Sequence, residues 1–86
     1  MEKRIGTVII QVERKDNVQK MNDIISLHSD IIIGRQGLPR SNNFNIISLI
    51  LEGTTDEIGS LTGQLGRLAG IQLKSALLKN KDDEEI

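Results

Sequence analysis

Apolar positions along this chain follow two periods. Residues 4–13 alternate, with Val8, Ile10 and Val12 on one face and Ile5, Thr7, Ile9 and Gln11 on the other. A period of two predicts a strand, and two faces that are each at least half apolar predict a central one. Residues 44–52 repeat the pattern more strongly: Ile47, Leu49 and Leu51 line one face, while Phe44, Ile46 and Ile50 line the other, interrupted by Ser48. Two weaker strands are predicted. One opens at Ile31-Ile32-Ile33, runs to about residue 36, and has the composition of an edge because it carries Gly34 and Arg35. The other follows Gly70 and runs to about residue 79, with Ile71, Leu73 and Leu77 facing one way and Gln72, Lys74, Ala76 and Leu78 the other.

Between these strands the period lengthens to that of a helix. Asp16 is a candidate cap for a helix over 16–28, in which Val18, Met21, Ile24, Ile25 and His28 share a stripe and Lys20, Asn22, Asp23 and Ser26 fill the wet side. The chain's single histidine then stands at the helix end, where an imidazolium complements the dipole. The stretch 53–70 predicts a second helix with two specialised sides. Ile58, Leu61, Leu65 and Leu68 form an apolar face, and Gly59, Gly63, Gly66 and Gly70 share another. Thr54 with Glu57 three residues later is a capping-box pattern, and Gly70 suits the left-handed position just past a helix end. Interior glycines cost a helix roughly 1 kcal/mol each relative to alanine. Their retention predicts either close packing against a neighbouring element or the approach of a partner chain or ligand.

The element order is strand, helix, strand, strand, helix, strand. Two split β-α-β units of this kind build the ferredoxin-like α+β sandwich. Its antiparallel sheet runs in the order 4-1-3-2, and the right-handed crossover rule puts both helices on one face. The domain is expected to span residues 1–79. The opposite sheet face is left bare. It would carry Ile5, Ile9, Phe44, Ile46, Ile50 and Leu78, an apolar patch of several hundred Å² that a monomer rarely leaves exposed. A second copy is the expected cover, as a homodimer first and a dimer of dimers second.

Composition narrows the chemistry. Eighty-six residues make one small domain. There is no cysteine, tryptophan or tyrosine, and Phe44 is the one aromatic residue, so the core must be Ile, Leu and Val. Without cysteine there is no disulfide or thiolate metal site, and this usage fits a cytoplasmic location. The formal net charge of −1 argues against direct nucleic-acid binding through bulk charge. The N-terminus has no apolar run of signal-peptide type, and no stretch is long enough to cross a bilayer. The tail at 80–86, N-K-D-D-E-E-I, is acidic and expected to stay solvated.

Candidate site residues are few. The turn-rich segment 37–43 is flanked by basic groups, so Arg35, Gly37, Pro39 and Arg40 form one candidate rim for an anion or effector. Gly59 and Gly63 are the other candidates, as points where a ligand could approach the backbone. Ser48, Ser60, Thr62, Asp56 and Glu57 form no nucleophile or acid–base constellation, so no catalytic residue is assigned. A lone histidine without cysteine supports no metal site, and no cofactor is expected.

The run 56–61, D-E-I-G-S-L, followed by Leu65, Leu68 and G-I-Q-L at 70–73, resembles the helix-and-strand signature of ACT domains. A resemblance covering nearly the whole chain is closer. The opening M-E-K-R before an apolar strand, G-R-Q-G-L-P at 34–39, and I-G-S-L-T-G-Q-L-G-R-L-A-G-I-Q-L-K at 58–74 are similar to the iron-only hydrogenase system regulators. These are short bacterial proteins grouped by fold with ACT domains and with the C-terminal domain of the nickel-responsive repressor. The resemblance implies the same sandwich fold and a regulatory, non-enzymatic role linked to that hydrogenase system. It implies an oligomeric sensor that binds a small effector, a partner regulator protein, or both. The nickel site of the repressor is not matched, because His28 stands alone. Its DNA-binding domain is not matched either, so any effect on transcription is expected to pass through the partner. The alternative is an interaction module that docks onto other proteins without a ligand.

Overall fold

A computed structural model describes residues 2–39 and 45–79. The elements are β1 (Arg4–Val12), α1 (Val18–Leu27), β2 (Ile32–Leu38), β3 (Asn45–Gly53), α2 (Thr55–Gly66) and β4 (Ile71–Leu77), with 3-10 turns at Lys15–Asn17 and Ser29–Ile31. The strands form one sheet in the order β2-β3-β1-β4, with every neighbouring pair antiparallel. This is the expected α+β sandwich, read from the opposite edge. Phe44, Arg40 and the acidic tail at 80–86 lie outside the described residues.

The two alternating strands lie side by side in the middle, with Ile10 opposite Ile47 and Val8 opposite Leu49. Because successive side chains point to opposite faces, Val8, Ile10, Val12, Ile47, Leu49 and Leu51 all turn toward the helices and are buried. Met21 and Ile25 of α1 meet them, as do Ile58, Leu61 and Leu65 of α2. Ile71 and Leu73 pack at the margin of this core. Among the described residues the packed layer thus contains only aliphatic side chains and one methionine, as a chain with almost no aromatic residues requires.

Helix starts and ends depart from the sequence expectations in three places. Asp16 falls inside the 3-10 turn, so it cannot cap α1, which begins at Val18 without a side-chain cap bond. Asn17, at the cap position, instead donates its amide to the Ala69 carbonyl at 2.9 Å. Finally, α2 stops at Gly66, and Leu68 is reached through a tight turn in which its N–H donates to the Leu65 carbonyl at 3.1 Å. Gly70 does have a positive φ of 82°, but it serves the entry to β4 rather than the helix end. Its carbonyl accepts from the N–H groups of Glu13 and Arg14 at 2.7 and 3.1 Å, and a Cβ there would sit 2.9 Å from that of Arg14.

The start of α2 forms as its sequence predicts. The Thr54 hydroxyl accepts from the Glu57 N–H at 3.1 Å, and the Glu57 carboxylate accepts from the Thr54 N–H at 2.8 Å. That backbone bond, seconded by the Thr54 side chain, holds the Glu57 carboxyl below its ordinary pKa. A depressed folded-state pKa contributes stability above the unfolded value near 4.3, which is lost as pH falls through the folded value. Thr54→Ala is expected to cost about 1 kcal/mol in urea unfolding at neutral pH, with a smaller difference between the two proteins in acid.

Candidate functional site

The bare sheet face is the largest feature the fold leaves unfinished. Strand register arranges it in four rows, each crossing from β2 toward β4. Leu38, Ile46, Gln11 and Gln72 make the first row, and Gln36, Ser48, Ile9 and Lys74 the second. Gly34, Ile50, Thr7 and Ala76 make the third. Glu52 and Ile5 begin the fourth, and the Leu78 N–H extends it by donating to the Ile5 carbonyl at 2.9 Å. The apolar residues form a diagonal band from Leu38 to Leu78. Ile9 is 52% exposed, Ile50 40%, Leu38 50% and Leu78 65%, whereas the opposite faces of the two central strands are buried at Val8, Ile10, Val12, Ile47, Leu49 and Leu51. Ile5 and Ile46 are half-buried by their neighbours. The Thr7 hydroxyl, on the flank of the band, donates to the Leu49 carbonyl at 2.9 Å, so its polarity is answered within the sheet.

The second feature is a groove of about 370 Å³ between α1 and the first-row end of the sheet. Met21 and Ile47 form its buried floor, Asn22 and Asn45 offer amides, and Arg35, Gly37 and Pro39 line its β2 side. Arg35 lies opposite Leu49 in the ladder, which directs it to the helix side of the sheet. It also borders a smaller groove of about 240 Å³ with Ser26 and Ser29. Among the described residues Arg35 has no hydrogen-bond or ion-pair partner. Three of the residues expected at one rim are therefore together, and Arg40 lies outside the described residues. The groove runs onto the bare face, because Leu38 and Ile46 line both.

Gly59 and Gly63 lie elsewhere. They are exposed on α2, and a Cβ at either, or at Gly66, would have nothing within 4 Å. Among the described residues, no neighbouring element packs closely against these glycines. Beside them His28 joins the two helices. Its Nδ1 is 2.8 Å from the Ile24 carbonyl and its Nε2 is 3.0 Å from the Ser60 hydroxyl, which also accepts from the Gln64 amide at 3.0 Å. A carbonyl only accepts, so Nδ1 carries the proton in the neutral ring and Nε2 accepts from Ser60. Both ring nitrogens are engaged, in an interhelical tie rather than at a free helix end. Among the described residues no three His, Asp or Glu side chains converge as a metal site.

Leu38 is the member of the bare face that the sequence pattern missed. The G-L-P run reads as a turn, yet the ladder continues through Gly37 opposite Ile47 and Leu38 opposite Ile46. Ile33 was also hidden, because the register shifts between Ile32 and Gly34 and leaves it 59% exposed.

Together these features define a small α+β sandwich domain with one sheet face unpartnered and a groove at that face's edge. No described helix is long and apolar enough to cross a membrane. The chain belongs to the TM1266-like family, whose model carries the description "Iron-only hydrogenase system regulator, putative" and matches residues 4–75. The family description makes regulation of that system its broad role. The solved structure of the uncharacterized protein TM1266 from Thermotoga maritima is similar, at 35% identity and a TM-score of 0.85, covering 91% of this chain and 100% of that one. The C-terminal domain of the MgtC protein from Mycobacterium tuberculosis shares the fold at 12% identity and a TM-score of 0.66, covering 90% of this chain and 89% of that one. The de novo designed protein Foldit4 shares it at 11% identity and a TM-score of 0.58, covering 93% of this chain and 100% of that one. No curated protein matches the chain.

Proposed function

We propose that this chain is a self-associating regulatory domain, in which two copies pair through their bare sheet faces and a small effector in the Arg35 groove biases the pairing. The observation that carries this reading is the exposed diagonal band, with Ile9, Ile50, Leu38 and Leu78 each 40% or more open to water. Covering it recovers roughly 25 cal/mol for each Å² of apolar surface removed from water. The groove suits a small anion with an apolar body, a carboxylate being the simplest. Arg35 supplies charge, Asn22 and Asn45 supply directed hydrogen bonds, and Met21 and Ile47 supply a dry floor. Because Leu38 and Ile46 serve both surfaces, an effector that favours one arrangement of these two side chains changes the pairing by its difference in affinity for the two states. Regulation then reaches the hydrogenase system through a partner protein that distinguishes those states.

Sedimentation equilibrium tests the assembly, with a dimer or higher species expected at tens of micromolar. A monomer throughout that range would end the reading. Thermal denaturation against amino acids, other small carboxylates and nucleotides tests the effector. A ligand at a hundred times its dissociation constant stabilises by about 2.7 kcal/mol, and Arg35→Ala is expected to remove that shift. A dimer whose melting no compound moves would leave an interaction module without an effector.

A further inference from the structure

The bare face is not only apolar; its charges are placed. Lys74 stands at the end of the second row, on the β4 flank of the diagonal band. Glu52 opens the fourth row, on the opposite flank. Taking about 4.8 Å between strands and about 3.4 Å per residue, each lies roughly 8 Å from the line of the band, on opposite sides. Their positions along that line differ by about 6 Å, a gap that an extended lysine side chain spans.

We infer that the two copies meet about a twofold axis that lies along the diagonal band, between the sheets, so that Lys74 of each copy pairs with Glu52 of the other. This rests on the proposed pairing of bare faces and adds its geometry. An axis along the band lays the band on itself and exchanges the two flanks, bringing each cation over the partner's carboxylate. The two simpler arrangements do worse. An axis parallel to the strands, between β1 and β3, lays Glu52 on Ile5 of the partner and Lys74 on Gln36. An axis perpendicular to the strands, between the second and third rows, lays Glu52 on Ile46 and Lys74 on Ala76. Each of these buries a carboxylate against an isoleucine with no counter-charge, which costs several kcal/mol. The diagonal axis alone buries the apolar band and pairs both charges.

Charge reversal tests the geometry. Lys74→Glu and Glu52→Lys, each alone, put like charges opposite one another twice per dimer. Each is expected to raise the dissociation constant at least about tenfold, an effect that weakens with added salt. The double variant restores complementarity and is expected to return to within about threefold of the parent. Circular dichroism checks that all three remain folded, as substitution at exposed positions predicts. Zero-length carbodiimide cross-linking of the unaltered protein is a second measurement. Lys74 and Glu52 of one chain are about 17 Å apart, so a cross-linked peptide joining them arises only between copies. A dimer whose dissociation constant neither single reversal changes, or that yields no such peptide, overturns the diagonal axis while leaving the face as the interface. A parent protein that never dimerises overturns both, and leaves the band to a different protein.

Discussion

Replacing Ile9 and Ile50 together by aspartate is expected to give a folded monomer. Both side chains point away from the helices and are 52% and 40% exposed within one copy. Their loss therefore leaves the internal core of Val8, Ile10, Leu49 and Leu51 untouched. In the proposed pair the same positions would sit in the middle of the buried band. Four carboxylates would then enter an apolar seam whose described rows carry no cation except Lys74 at the margin. Desolvating an unpaired carboxylate costs several kcal/mol, and every 1.4 kcal/mol is a factor of ten in the dissociation constant. A weakening of about a thousandfold or more follows, enough to take a micromolar dimer to monomer. Sedimentation reads the mass, and far-ultraviolet circular dichroism reads the retained fold. Leu27→Ser is the matched control: Leu27 is 76% exposed on α1, away from the sheet, so its replacement should leave the assembly unchanged. A double aspartate variant that still sediments as the parent does would place the contact elsewhere.

The sandwich was legible in the chain because the core-facing positions of its two central strands each form an uninterrupted apolar series. Once Val8 faces the core, Ile10 and Val12 must follow, and Ile5 and Ile9 must face away. That parity also separated Ile46 and Ile50 from Ile47 and Leu49 without coordinates. Periodicity misled where a residue kept its spacing but lost its helix. Leu68 continues the apolar series of α2, yet it packs against the core from the closing turn. Glycine signals were ambiguous for a different reason. Spacing puts Gly59, Gly63 and Gly66 on one face, but only the position of the other elements decides whether anything lies over that face, and here open space does. The groove was half legible. Arg35, Gly37 and Pro39 stand close together in sequence, but Asn22, Met21 and Asn45 join them only through the fold. The His28–Ser60 bond spans 32 positions and has no local signature, since neither residue's identity names its partner.

The two faces of α2 should respond to shortening and lengthening of side chains with opposite signs. Leu61 is fully buried in the core that the sheet and both helices share. Leu61→Ala removes its dispersion contacts and leaves a void that an aliphatic core fills only in part, a loss of about 2–5 kcal/mol. For a domain this small, with total stability near the lower end of the usual 5–15 kcal/mol, that is a third of the total or more. Gly63 lies two positions along, on the exposed side, with a backbone free of positive φ and no atom within 4 Å of an added Cβ. Gly63→Ala gains helix propensity and restricts the unfolded chain, so it should stabilise by roughly 0.5–1 kcal/mol. Thermal unfolding should then separate the two variants in opposite directions from the parent, at about 5 °C for each kcal/mol. The sign of the Gly63 effect also bears on assembly. If an added methyl lowers the melting temperature or disrupts the oligomer, another chain rests on the glycine face of α2, and association is not confined to the sheet. If it raises the melting temperature and leaves the sedimentation unchanged, the helix layer faces solvent in the assembly and the bare sheet carries the contact alone.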